Sequence, residues 1–271
     1  TYKETDICVS TYRPCYVSLV CKKIRGKLRV YVHITIEGLS KPKQDRFGNF
    51  KHSRGSGIVG CDVGTQTIAY TTETKAGLKN LAERGSSIEV NERKERLIYR
   101  AMDRSRRAMN PDNYNEDGTI KKGKKKWTYS NRYKKLRTKH TELCRINATN
   151  RHLAINEDVN ELRSLGDVFV TEPKNAKKLQ KRAKTGKRKK RFGRSIKNRC
   201  PGYFQSQAKR KFRIYVEVPN NYKASQYDHT SDTYIKKSLS QRMYKLQDGT
   251  MVQRDLYSSF LLYCIDLNTN K

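Results

Sequence analysis

Between positions 173 and 213 the chain carries 18 Lys and Arg and no acidic residue. Such a run cannot be buried, because each unpaired charge removed from water costs on the order of several kcal/mol. It must face solvent or a polyanion, and it splits the segments that can pack into those before it and those after it. A second acid-free stretch, 121–139, holds 10 Lys and Arg among its 19 residues. Together the two contain 28 of the 60 basic residues, and with 26 Asp and Glu the formal net charge of the 271-residue chain is +34. Leu, Ile, Val and Phe make up 54 of the 271 residues. Few apolar side chains with high net charge is the composition at which chains stop folding alone. The apolar residues must therefore be concentrated in a few elements. No stretch approaches 18 apolar residues, so no membrane span is expected. A small anionic substrate does not need this excess of charge. A nucleic acid does, since neutralising its phosphates releases counterions and supplies sequence-independent affinity.

The apolar segments are legible one by one. Over 15–37, two β-rich runs with period-2 alternation flank a basic turn at Gly26 and predict a hairpin. Residues 41–57, with Gly48, Gly55 and Gly57, form a linker. Residues 58–72 (IVGCDVGTQTIAYTT) predict a buried strand, a turn and a second strand. Helical spacing appears at Leu97, Ala101 and Ala108 over 91–109, and at Leu136, Leu143, Ile146, Leu153, Val159 and Leu162 over 130–165. Between them, 110–126 is turn-rich and then basic. Gly166 closes the second helix, 167–172 is a short apolar strand, 214–218 another, and 252–265 a helix with Leu256, Phe260 and Tyr263 near one face. This order predicts one mixed α/β fold.

Seven cysteines, at 8, 15, 21, 61, 144, 200 and 264, include no C-x-x-C pair. Free thiols in a reducing compartment are expected, not a disulfide framework or a four-Cys zinc site. The chain opens Thr1-Tyr2-Lys3 without a charged-then-apolar leader, so no signal peptide is expected, and without an initiator Met, which is expected of a processed chain or of the later part of a longer protein.

Three acids stand out against this basic background. Asp62 lies inside an apolar strand between Gly60 and Gly64, Glu172 ends a second apolar strand, and Asp255 falls in the first turn of the last helix. A carboxylate in such a setting needs a cation or a hydrogen-bonding partner. Singly, Asp62 could be a turn residue, Glu172 a surface acid paired with Lys174, and Asp255 a charge favoured by the helix dipole. Jointly they could meet at the carboxyl edge of one sheet and hold Mg²⁺ or Mn²⁺, hard ions that prefer oxygen ligands.

At these residues the chain resembles the TnpB proteins of insertion sequences, relatives of type V CRISPR effector nucleases. Residues 60–69 (GCDVGTQTIA) are similar to the family's first RuvC motif, 168–175 (VFVTEPKN) to the second and 253–260 (QRDLYSSF) to the third. Residues 110–118 (NPDNYNEDG) and 225–229 (SQYDH) also resemble one branch of it. The resemblance implies an RNase H-like core over 58–218 with a helical insertion at 91–165 and a final helix in 251–271. It implies that 1–40 is the end of a wedge-type β-barrel. It further implies an RNA-guided DNA endonuclease of the bacterial cytoplasm, found at the nucleoid when on DNA, with guide RNA and double-stranded target DNA as partners. Asp62 would bridge two Mg²⁺ (or Mn²⁺), with Glu172 and Asp255 completing their shells. Members commonly carry a four-Cys zinc ribbon between the second and third motifs. Here 219–250 has no cysteine and only Asp228, His229, Asp232 and Asp248 as possible ligands, so a zinc-free remnant is expected.

Phosphate contacts are expected from Lys121, Lys122, Lys124, Lys125, Lys126 and Arg132, and from Lys177, Lys178, Lys181, Arg182, Lys187, Arg188, Lys189, Lys190, Arg191, Arg194, Arg199 and Arg254. Trp127, Tyr129, Tyr133, Tyr203 and Phe204 interleave with these groups and are candidates for base stacking or for core packing. The competing readings are a guided DNA-binding protein that does not cut, and a resolvase or transposase with no guide. RNA is expected to serve the fold as counter-charge.

Overall fold

In the computed structural model the alternation over 15–37 becomes an antiparallel pair, β1 (Arg13–Ile24) and β2 (Lys27–Glu37). Arg25 and Gly26, both at positive φ (50° and 79°), join them. A two-residue loop with both φ positive matches the right-handed twist of the flanking strands. The structure describes residues 13–37, 43–81, 86–174, 192–219, 221–238 and 241–265, with side chains except at 86–90 and 192–195.

The chain forms two compact units, one of 1–39 and 86–150, the other of 40–85 and 151–271. In the first unit, β1 and β2 form a two-stranded sheet, and the helical segments are α1 (Ser86–Met109) and the first part of α2 (Asn131–Arg163). The loop between them is tied by Asn110, whose amide donates to the carbonyls of Arg106 and Thr128.

The second unit is built on a five-stranded mixed sheet in the order β5-β4-β3-β6-β7. Its strands are β3 (Ile58–Val63), β4 (Thr67–Thr71), β5 (Ala76–Asn80), β6 (Val168–Thr171) and β7 (Ile214–Glu217). β3 is antiparallel to β4 and parallel to β6, and β6 is parallel to β7. Period 2 assigns the faces. Val59, Cys61, Val63 and Phe169 enter one core, with Val159 and Leu162 of α2 and Phe204 and Ala208 of α4 (Pro201–Lys211). Val168 and Val170 enter the other, with Leu261 and Leu262 of α5 (Arg254–Tyr263). A shorter helix, α3 (Phe192–Arg199), precedes α4. No helix of the described residues is long and apolar enough to cross a membrane.

Gly60 lets α5 lie on the sheet. A Cβ there would collide with the backbone of Ser259 and Tyr263. Thr71 and Ser259 share a buried 2.8 Å hydrogen bond alongside.

The structure adds strands that the sequence did not indicate: β5, and two ribbons over 227–253, in which β8 (Tyr227–Asp228) pairs with β9 (Thr233–Tyr234), and β10 (Met243–Lys245) with β11 (Met251–Gln253). The acid-free run also contributes to the core, because Phe204, Ala208 and Phe212 sit four apart and are all buried. That spacing is helical, but the surrounding Lys and Arg obscure it.

Candidate active site

Ile58, Gly60 and Asp62 point to one face of the sheet, and Val168, Val170 and Glu172 to the same face. Gly60 pairs with Val170, so two residues on, Asp62 and Glu172 stand side by side at the carboxyl ends of two parallel strands. α5 covers that face, and its first turn carries Asp255. The Thr67 hydroxyl, at the start of β4, donates to Asp255 Oδ2 at 3.3 Å. The three acids therefore occupy one edge of the sheet. Among the described residues, they do not draw together into a cluster within 4.8 Å of one another.

Each carboxylate has a partner. Lys174 Nζ donates to Asp62 Oδ1 at 2.5 Å and to the Val63 carbonyl at 2.6 Å. The alternative reading that paired Lys174 with Glu172 gives way to Lys174–Asp62, since Lys174 lies three residues beyond the end of β6 and reaches across to β3. Glu172 Oε1 accepts from the Ala224 backbone N–H at 2.9 Å. Burial, together with the neighbouring charge of Asp62, pushes the Glu172 pKa above the ordinary carboxylate value, against the opposing pull of Lys174 and the Ala224 N–H. Asp255 Oδ2 accepts from Arg242 at 3.1 Å, and Oδ1 from Arg254 Nε at 3.3 Å. The Gln253 side chain caps α5 by accepting from the Leu256 N–H at 2.6 Å. In the motif Gln253-Arg254-Asp255, the first residue therefore starts the helix and the second holds the third.

This donor set suits a hard divalent cation. All three candidate ligands are carboxylates, and burial together with the charge of Asp62 holds Glu172 above the ordinary carboxylate value, a repulsion that a bound dication would relieve. Sequence reasoning missed Thr67, Arg242 and the Ala224 N–H. No local signal marks them, because each meets the site from a distant part of the chain.

The expected nucleic-acid contacts are distributed unevenly. Lys177, Lys178, Lys181, Arg182, Lys187, Arg188, Lys189, Lys190 and Arg191 lie outside the described residues, as does the side chain of Arg194. Arg199 belongs to the second unit and donates to the Thr65 carbonyl at 3.2 Å, bracing the turn after Asp62. Arg254 is turned inward, its side chain 15% exposed against Asp255. Lys121, Lys122, Lys124, Lys126 and Arg132 are exposed in the first unit, and Lys125 is half-buried. The aromatics are engaged within the protein. Trp127 lies under the Arg106 guanidinium and edge-on to Tyr114, Tyr129 stacks on Tyr133, and Tyr203 stacks on His152. Phe204 is a core residue and unavailable to bases.

The four possible zinc ligands of 219–250 each serve local structure. Asp228 accepts from Thr230 and from the Gln247 N–H, linking the two ribbons. Asp232 accepts from Tyr227, Asp248 from Thr250, and His229 shares a 2.6 Å bond with Tyr257. The described cysteines form no disulfide with one another.

Among solved structures, the chain is similar to the protein of a cryo-EM CRISPR-Cas12f ternary complex. The identity is 12% and the TM-score 0.41, over 97% of this chain and 47% of that one. It is also similar to the protein of a Cas12f1–sgRNA–target DNA complex, at 11% identity and TM-score 0.44, over 93% of this chain and 45% of that one. The chain spans just under half the length of each. No protein-family profile and no curated protein matches the sequence.

Proposed function

We propose that this chain carries the catalytic core of an RNA-guided DNA endonuclease, with Asp62, Glu172 and Asp255 as its metal-binding acids. One observation carries the reading: three carboxylates from β3, the end of β6 and the first turn of α5 share one sheet edge in a chain of net charge +34. Asp62, Glu172 and Asp255 would hold Mg²⁺ or Mn²⁺. When bound, such ions supply an activated water and charge neutralisation at the scissile phosphodiester. The chain's own residues prepare the site. Lys174 fixes the rotamer of Asp62, Arg242 and Arg254 fix Asp255, and Arg199 braces the turn that follows Asp62. The exposed lysines of 121–126 supply sequence-independent attraction for guide and target phosphates, leaving target choice to base pairing.

The test is cleavage of DNA matching whatever RNA copurifies with the protein. Asp62→Ala should lower the cutting rate by at least about 100-fold, since even outer-shell partners of metal ligands cost about 10- to 100-fold. EDTA should abolish cutting and Mg²⁺ restore it. Equal rates for wild type and Asp62→Ala overturn the site assignment. A second reading, guided binding without cleavage, is favoured by the partners already on each carboxylate, which would suit purely structural ion pairs. Target binding with no cutting at any Mg²⁺ concentration selects it.

A further inference from the structure

In the first unit, Glu95 of α1 faces His140 and Cys144 of α2. His140 and Cys144 are four apart, so they stack on one side of their helix. Glu95 Oε1 lies 3.5 Å from His140 Nε2 and 3.6 Å from Cys144 Sγ, and Sγ is 3.8 Å from Nε2. The three atoms form a nearly equilateral triangle. A tetrahedral zinc-type ion has bonds of roughly 2.3 Å to sulfur and 2.0–2.2 Å to nitrogen or oxygen, which sets ligand-to-ligand edges of roughly 3.3–3.6 Å. The triangle is within a few tenths of an ångström of one face of that tetrahedron. A helix-to-helix contact made of a weak thiol donor, an imidazole and a carboxylate has no need of this equality.

We infer that Glu95, His140 and Cys144 bind a thiophilic divalent cation of the Zn²⁺ class and thereby clip α1 to α2. The donor set selects such an ion over Mg²⁺, because thiolate and imidazole prefer borderline and soft metals. It also balances charge: thiolate and carboxylate together cancel a dication, which matters in a chain of net charge +34. All three side chains are partly exposed, leaving an entry path and a fourth position for water. The clip answers a shortage in this unit. Among its described residues, Met102 alone is a buried apolar side chain, whereas both cores in the other unit are extensive. Domains short of apolar core are commonly stapled by a metal, whose binding energy then becomes folding energy. The Tyr99 ring, one turn from Glu95, lies 6.1 Å from the His140 ring and limits its swing.

This inference does not depend on the nuclease reading. The test is a Co²⁺ titration of the metal-stripped chain, with any copurifying RNA retained. One equivalent should bind and produce tetrahedral d–d bands with a thiolate-to-Co²⁺ charge-transfer band, displaced by Zn²⁺ and indifferent to excess Mg²⁺. Zn²⁺ should raise the melting temperature. Cys144→Ser should remove the charge-transfer band and the melting shift, while Cys15→Ser keeps both. His140→Gln should keep a weakened band, with affinity lowered at least about 10-fold. Absence of a thiolate band in wild type, or its survival in Cys144→Ser, overturns the proposal. Far-UV circular dichroism of Cys144→Ser matching metal-free wild type shows that the loss is one of ligation and not of fold.

Discussion

The two main sheets are built from similar strands that end in opposite surroundings. In the β1–β2 hairpin, Val17, Leu19, Leu28, Val30, Val32 and Ile34 are each more than 60% exposed. In β3 and β6, Val59, Cys61, Phe169 and Val170 are fully buried. Both pairs are rich in β-branched residues, the hairpin alternating in polarity and β3 and β6 being near-continuous apolar runs. What separates them is company: β3 and β6 have neighbouring strands on each side and helices over both faces, and the described hairpin is two strands alone. A two-stranded ribbon is marginally stable without a covering surface. β-propensity therefore locates a strand without saying whether it is core.

Substitutions can break or sharpen that contrast. The largest loss of stability should follow Phe169→Ala, about 3–5 kcal/mol in denaturant unfolding, since Phe169 packs on Phe212 and Tyr215 and would leave a cavity. Gly60→Ala should cost about 1–3 kcal/mol and, by shifting α5 and Asp255, slow cleavage as well. Glu172→Gln probes the site electrostatically. The folded-state pKa of Glu172 lies above its unfolded value, so the native state holds the proton more firmly and its carboxylate form costs stability. Without divalent ions, wild type should lose stability relative to Glu172→Gln as pH rises through that raised value, and the gap should be absent below the ordinary carboxylate range. A pH-independent difference would mean that Asp62 and burial do not act on Glu172 as described. The smallest effect is expected for Val32→Ala, within about 0.5 kcal/mol, as for surface positions generally. The sole tryptophan, Trp127, belongs to the hairpin's unit, so its fluorescence follows that unit while circular dichroism follows the whole. A cost for Val32→Ala approaching that of Phe169→Ala would show that something covers the hairpin in solution.

Much of the candidate site was legible in the sequence. An acid inside an apolar strand, one at a strand end and one opening a helix each announced an unusual carboxylate. Which cation would compensate Asp62 was not legible, because sequence proximity favours Lys174 with Glu172 while the strand edge sends Lys174 to β3. The charge of 173–213 also hid the apolar spacing of Phe204, Ala208 and Phe212, which a count of Lys and Arg cannot show.

The sequence by itself determined where the main strands and helices form, which residues alternate to which face, and that the excess charge lies in segments separate from the apolar ones. These follow from backbone periodicity and local side-chain chemistry, which neighbours in the chain impose on one another. Only the tertiary structure decided that Thr67 and Arg242 meet Asp255, that Ala224 meets Glu172, that Phe204 is core, and that Glu95 stands across from His140 and Cys144. Those contacts join residues from 13 to 188 positions apart. Packing of whole elements selects them, and no local pattern encodes which distant group arrives.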